Sequence, residues 1–120
     1  MKRDMDLIRD ILLKVEADPT LNGSRFETFE DSAFEGHPNQ EVAYHIDLLF
    51  EAGFVEGFGS MDPMPAISRL TWLGHEFLND VRDPGIWGKV KEQAKAVPSI
   101  SLAFAWEIAK AEIKKKLHLP

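Results

Sequence analysis

Apolar side chains recur at three- and four-residue spacing from the start of the chain. Met5, Ile8, Ile11, Leu12 and Val15 fall on one face of a helix over 4–16. Asp18-Pro19 and Asn22-Gly23 end it, because proline cannot continue a helix and Asn-Gly favours a turn. Residues 25–30 set Phe26, Thr28 and Phe29 in a weak alternation that supports only a short edge strand. The stretch 31–37 reads as a loop, and Pro38 sits where the first turn of a helix tolerates a missing N–H. A second helix follows over 41–52, with Val42, Ile46, Leu49 and Phe50 inward and Gly53 as its C-cap.

Short apolar segments at 54–58 and 66–70 flank Gly59-Ser60-Met61-Asp62-Pro63-Met64-Pro65, whose glycine and prolines favour turning, so this region is expected to form a β-hairpin. Thr71 caps a third helix with a stripe of Trp72, Leu73, Phe77, Leu78 and Val81. Gly74 within that helix costs about 1 kcal/mol against alanine, so another backbone is expected to pack close there. Asp83-Pro84 opens a fourth helix that runs toward Val97 on Ile86, Trp87, Val90 and Val97. A last helix starts near Ser99 or Ser101 and buries Leu102, Phe104, Ala105, Ile108, Ile113 and Leu117. It ends in lysines that complement the negative end of the helix dipole.

This order makes the fold mainly α with a small β-hairpin. Helix, weak strand, helix and two-stranded wing form the skeleton of a winged-helix domain, with 40–53 in the recognition-helix position. A full helix-turn-helix needs one more helix before that position, and 31–37 offers either one distorted turn or none. The expected organisation is a winged-helix-like core over 1–83 followed by a C-terminal helical extension over 84–120 packed on it, together one structural domain. The length of 120 residues suits a single core.

Composition narrows the setting. No apolar run approaches the roughly 18 residues that cross a bilayer, and MKRDMDLIRD is charged where a signal peptide needs its apolar stretch, so a cytoplasmic protein with no membrane partner is expected. Without cysteine there is no disulfide framework and no thiolate metal site. The net charge of −6 is unevenly spread: 1–83 holds 7 Lys/Arg and 17 Asp/Glu, net −10, whereas 84–120 holds 7 and 3, net +4. An acidic body repels nucleic acid, and a basic tail is drawn to an acidic surface, its own or that of a second copy, which points to a homodimer.

The usual catalytic equipment is missing. There is no G-x-S-x-G, no cysteine nucleophile and no glycine-rich phosphate loop, so neither an enzyme nor a cofactor is expected. Four histidines, His37, His45, His75 and His118, could ligate a metal, but His75-Glu76 lacks the second histidine of H-E-x-x-H and a structural or exposed role is favoured, so no metal site is expected. His45, beside Glu41 and Asp47, has the makings of an acid–base group, but a hydrogen bond along its helix fits better. The carboxylates Glu30 and Asp31, and Asp80 and Asp83, fall in turns or at helix ends, where acidic residues serve as caps.

The recognition-helix face would present Asn39, Gln40, Glu41, His45 and Asp47, a set without arginine or lysine. Asn39 and Gln40 suit adenine, but carboxylates repel a phosphate lattice. In the wing, Arg69 accompanies Met61 and Asp62, so DNA is electrostatically disfavoured. Trp87, Phe104 and Trp106 are candidate interface anchors, Trp106 either exposed or packed under the preceding helix. The basic tail, Lys110, Lys114, Lys115 and Lys116, suits phosphate, an acidic protein or simple solvation.

The blocks MKRDMDLIRDILLKVE, AYHIDLLFEAGFVEG and LTWLGHEFLNDVRD resemble an uncharacterised domain-of-unknown-function family of bacteria and their prophages. Leu70-Thr71-x-x-Gly74, leaving the wing, also resembles winged-helix regulators. The resemblance implies a phage or prophage setting, with no established activity and no assigned catalytic or binding residue. The expected function is a protein-binding or dimerising winged-helix module, the alternative a sequence-specific DNA-binding transcriptional regulator.

Overall fold

A computed structural model describes residues 2–31, 33–59, 64–97 and 100–120. Among them, five helices and one two-stranded antiparallel sheet follow the hydrophobic pattern. Helix α1 (Met5–Ala17) starts at Asp4, whose Oδ1 accepts the Leu7 N–H at 3.2 Å, and buries Leu7, Ile8, Ile11, Leu12 and Val15. Helix α2 (Asn39–Ala52) begins after an extended Pro38 and stops at Gly53, whose φ of +76° is readily adopted only by glycine. Between them no further helix forms among the described residues. Single turns replace it, with Ala33 N–H donating to the Glu30 carbonyl and His37 N–H to that of Phe34.

Strands β1 (Val55–Phe58) and β2 (Ala66–Leu70) pair from Val55 opposite Leu70 to Phe58 opposite Ala66, with a bulge between Glu56 and Gly57. The edge strand expected over 25–30 reduces to a single bridge. Glu27 and Ile67 exchange N–H···O bonds of 2.9 and 2.7 Å, so β2 is flanked by β1 and by this bridge.

Helix α3 (Trp72–Val81) is capped by Thr71, whose Oγ1 accepts the Gly74 N–H at 3.0 Å. The close approach expected at Gly74 is present: a Cβ there would run into the Phe54 carbonyl oxygen. That contact also sets the phase of the helix. Gly74, Phe77, Leu78 and Val81 face inward, so Trp72, at 78% exposure, and Leu73 turn to solvent instead of joining the buried stripe.

The chain divides into two units, Met1–His75 and Glu76–Pro120, the division falling inside α3. In the first, α1 packs on α2 and β2, and α2 packs on β1, around Leu7, Ile11, Leu12, Ile46, Leu49 and Ile67. In the second, α4 (Pro84–Ala94) packs on α5 (Leu102–Lys116). The Asp83 carboxylate caps α4 by accepting the Gly85 and Ile86 N–H groups, and Ser101 caps α5 by accepting that of Phe104. Ser99 lies outside the described residues. Because α4 ends at Ala94, Val97 is exposed instead of anchoring it. The fully buried face of α5 is Ala105, Ala109 and Glu112, with Leu102, Ile108 and Ile113 half-buried, while Phe104 and Leu117 of the expected stripe face water: the small residues let α4 come close. Among the described residues no helix is long and apolar enough to cross a membrane.

Candidate functional site

His45 is fully buried on α2 and spans two segments of backbone. Its Nδ1 lies 2.8 Å from the Glu41 carbonyl oxygen one turn earlier, and its Nε2 lies 2.7 Å from the Asp4 backbone nitrogen at the start of α1. A backbone N–H can only donate and a carbonyl can only accept, so the ring carries its proton on Nδ1 and accepts on Nε2. The expected helix-face hydrogen bond is there, and a second bond across the core joins it. Burial removes His45 from the exposed face expected for this helix, because its side of α2 faces α1 and not solvent.

Above this buried ring, the starts of α1 and α2 bring three half-buried side chains together. Asp4, His37 and Glu41 each offer one ligand-type atom, all within 4.8 Å of one another, and His37 Nδ1 sits 2.8 Å from Glu41 Oε1. The neighbourhood is acidic. Burial raises the carboxyl pKa of nearby Asp10, and Asp6 and Asp4 push it up further, against the opposing charges of Arg9 and His37.

The remaining residues of the α2 face are dispersed or engaged. Gln40 is exposed, Asp47 is half-buried, and the Asn39 amide donates to Asp31 Oδ1 at 2.8 Å. In the hairpin, Arg69 is held by Glu56 through a two-pronged pair of 2.9 and 2.7 Å, so its charge is already matched. Met61 and Asp62 lie outside the described residues. Phe26 and Phe58 meet edge to face at 4.7 Å between centroids, although they are 53% and 60% exposed.

In the second unit the three aromatic candidates part company. Trp87 is 3% exposed and belongs to the core, whereas Phe104 is 61% exposed. Trp106 is half-buried, its indole N–H donating to Asp80 Oδ2 at 2.6 Å and its ring edge-on to Phe77. Several tail lysines have carboxylate partners: Lys116 reaches Asp83 at 2.8 Å, Lys115 reaches buried Glu112 at 3.3 Å, and Lys110 lies near Glu107 and over the Trp106 ring. Burial pushes the Glu112 carboxyl up, but hydrogen bonds from Lys115 and Gln93 and the charges of Lys115 and Lys89 outweigh it, holding it below its ordinary value. Lys114 is exposed.

A cleft of about 630 Å³ opens beside the Glu27 bridge, lined by Lys14, Asp18, Leu21, Phe29 and Glu30 among others. The Thr20 hydroxyl and N–H hold the Asp18 carboxyl below its ordinary value, which makes it a turn acceptor.

Asp4, His37 and Glu41 are the grouping that sequence reasoning missed. The signal available was the i,i+4 pair His37 and Glu41 across the start of a helix; nothing local pointed to Asp4, which arrives from 33 residues before His37.

A family model described as "Hypothetical protein (DUF2513)" matches residues 2–101. An uncharacterized protein of Haemophilus influenzae is 36% identical over 121 residues, covering 98% of this chain and 99% of its own length. No solved structure matches.

Proposed function

The chain belongs to the DUF2513 family of hypothetical proteins, and from that premise we propose a winged-helix-like module, working without catalysis in a phage or prophage setting, whose task is protein contact through self-association. The observation that carries this reading is the Phe26–Phe58 pair: two rings in edge-to-face contact yet each more than half exposed, on the hairpin side of the first unit. Exposed aromatic rings are favourable interface anchors, because they bring a large apolar area with few rotatable bonds to order when they are covered. Trp72 adds a third, still more exposed ring.

The order helix, bridge, turns, helix, hairpin supports the winged-helix reading, with the turns at 33–37 in place of the middle helix. A DNA-reading version is disfavoured on electrostatics. Helix α2 holds Glu41, Asp47 and Glu51 and no lysine or arginine, and Arg69 in the wing is committed to Glu56.

The test pairs light scattering with binding to random duplex DNA. A mass above the monomer that is insensitive to salt, and that falls to the monomer in the Phe58→Ser, Trp72→Ala double variant, is the expected outcome. A monomer that binds duplex at about 50 mM salt and releases it by about 200 mM overturns it in favour of a regulator.

A further inference from the structure

We propose that Asp4, His37 and Glu41 form a binding site for a first-row divalent transition-metal ion, with Zn²⁺ as the natural probe. The donor set is one imidazole nitrogen and two carboxylate oxygens, brought within 4.8 Å of one another. An ion of this class has bond lengths of about 2.0–2.2 Å to such donors, so ligand atoms at most 4.8 Å apart need to draw in by only about an ångström to surround it. Imidazole in the set favours zinc, cobalt or nickel over magnesium or calcium, which prefer oxygen alone.

Glu41 has no competing duty on its own helix. It is the third residue after the Pro38 N-cap, where a glutamate normally reaches back to the N-cap N–H, and proline has none. Its carboxylate turns instead to His37. Asp4 caps α1 through Oδ1, and a carboxylate has lone pairs enough for a second partner. His37 and Glu41 side chains keep 24% and 28% of their surface in water, so an ion has a way in.

Buried His45 supplies the preorganisation. By accepting from the Asp4 backbone N–H and donating to the Glu41 carbonyl, it ties together the two backbones that carry the carboxylates, one on each helix. Ion binding therefore orders side chains on a framework already fixed, which is the part outer residues play around bound metals.

The full chain, freed of metal with a chelator, is titrated with Zn²⁺ by calorimetry, and with Co²⁺ while its visible absorption is followed. One equivalent is expected to bind. Asp4→Asn, His37→Ala and Glu41→Gln should each weaken it by at least about tenfold. Asparagine caps a helix as well as aspartate, so Asp4→Asn separates the metal role from the capping role. Thermal melts of each variant in chelator establish that it folds, and His75→Ala and His118→Ala are expected to bind as the parent does. The proposal is overturned if no heat and no cobalt spectrum appear, if the three variants bind like the parent, or if His118→Ala abolishes binding. Millimolar Mg²⁺ competing as well as Zn²⁺ would also overturn it.

Discussion

His45 shows how one side chain can serve two elements. Its ring satisfies a carbonyl on its own helix and the N–H of a residue 41 positions earlier, and it is wholly shut off from water. Removing it leaves the half-buried Asp4 N–H without its acceptor and a cavity the size of the ring. His45→Ala is expected to cost about 3 kcal/mol, read as a lowered urea midpoint with an unchanged slope. The half of this arrangement that was legible is local: an i,i+4 bond to the Glu41 carbonyl follows from helix geometry alone. The Asp4 half was not, because no periodicity reveals which distant backbone group will arrive opposite a given side chain. The same holds for Arg69, whose partner Glu56 lies across the hairpin and depends on strand register.

At the scale of elements, caps and breakers are the most readable part of the chain. Gly53, Thr71, Asp83 and Ser101 end or start helices as their chemistry requires. Gly74 is legible too, because a glycine that weakens its helix needs a compensating reason, here the Phe54 carbonyl against its Cα. Gly74→Ala is accordingly expected to destabilise the first unit by about 3 kcal/mol or prevent its folding, measured by denaturant unfolding, whereas Gly88→Ala, with open space around it, should be neutral or stabilising.

The contact between α4 and α5 carries a pH dependence. Lys116 and the Gly85 and Ile86 N–H groups hold the Asp83 carboxyl below its ordinary value, and Glu112 is also held low. A depressed carboxyl contributes stability that is present above its unfolded pKa and lost as the pH falls through its folded one. Thermal melts are therefore expected to stay level from neutrality down to roughly pH 4 and to drop below it. In Asp83→Asn and Glu112→Gln the melts should start lower and fall less steeply.

For the whole molecule, charge distribution sharpens the functional reading. The tail of 84–120 is net +4, yet Lys89, Lys110, Lys115 and Lys116 each have a carboxylate nearby, so much of the apparent basic patch is matched within its own unit. The pairs of Lys110 and Lys116 are solvent-facing and weak, whereas Lys89 and Lys115 share the buried Glu112 carboxylate; together they redirect the search for a partner toward the exposed aromatic rings. Phe58 and Trp72 stand outside the core. Trp72→Ala should shift stability by no more than about 0.5 kcal/mol, and Phe58→Ser, which gives up the edge-to-face pair with Phe26, by about 1 kcal/mol, small enough for both variants to stay folded so that a lost dimer reports a lost contact.

The sequence alone determined the elements and their order. Helical periodicity, proline and glycine punctuation and side-chain caps are local, and each acts within a few residues of where it is written. Three matters waited for the tertiary structure. The phase of α3 and α5 was set by close backbone approach at Gly74 and by the small face of Ala105 and Ala109, and hydropathy is blind to closeness. The strand expected over 25–30 shrank to one bridge because pairing is decided by the partner strand, β2. The grouping of Asp4 with His37 and Glu41 depends on α1 meeting α2, and the buried ring of His45 fixes where they meet.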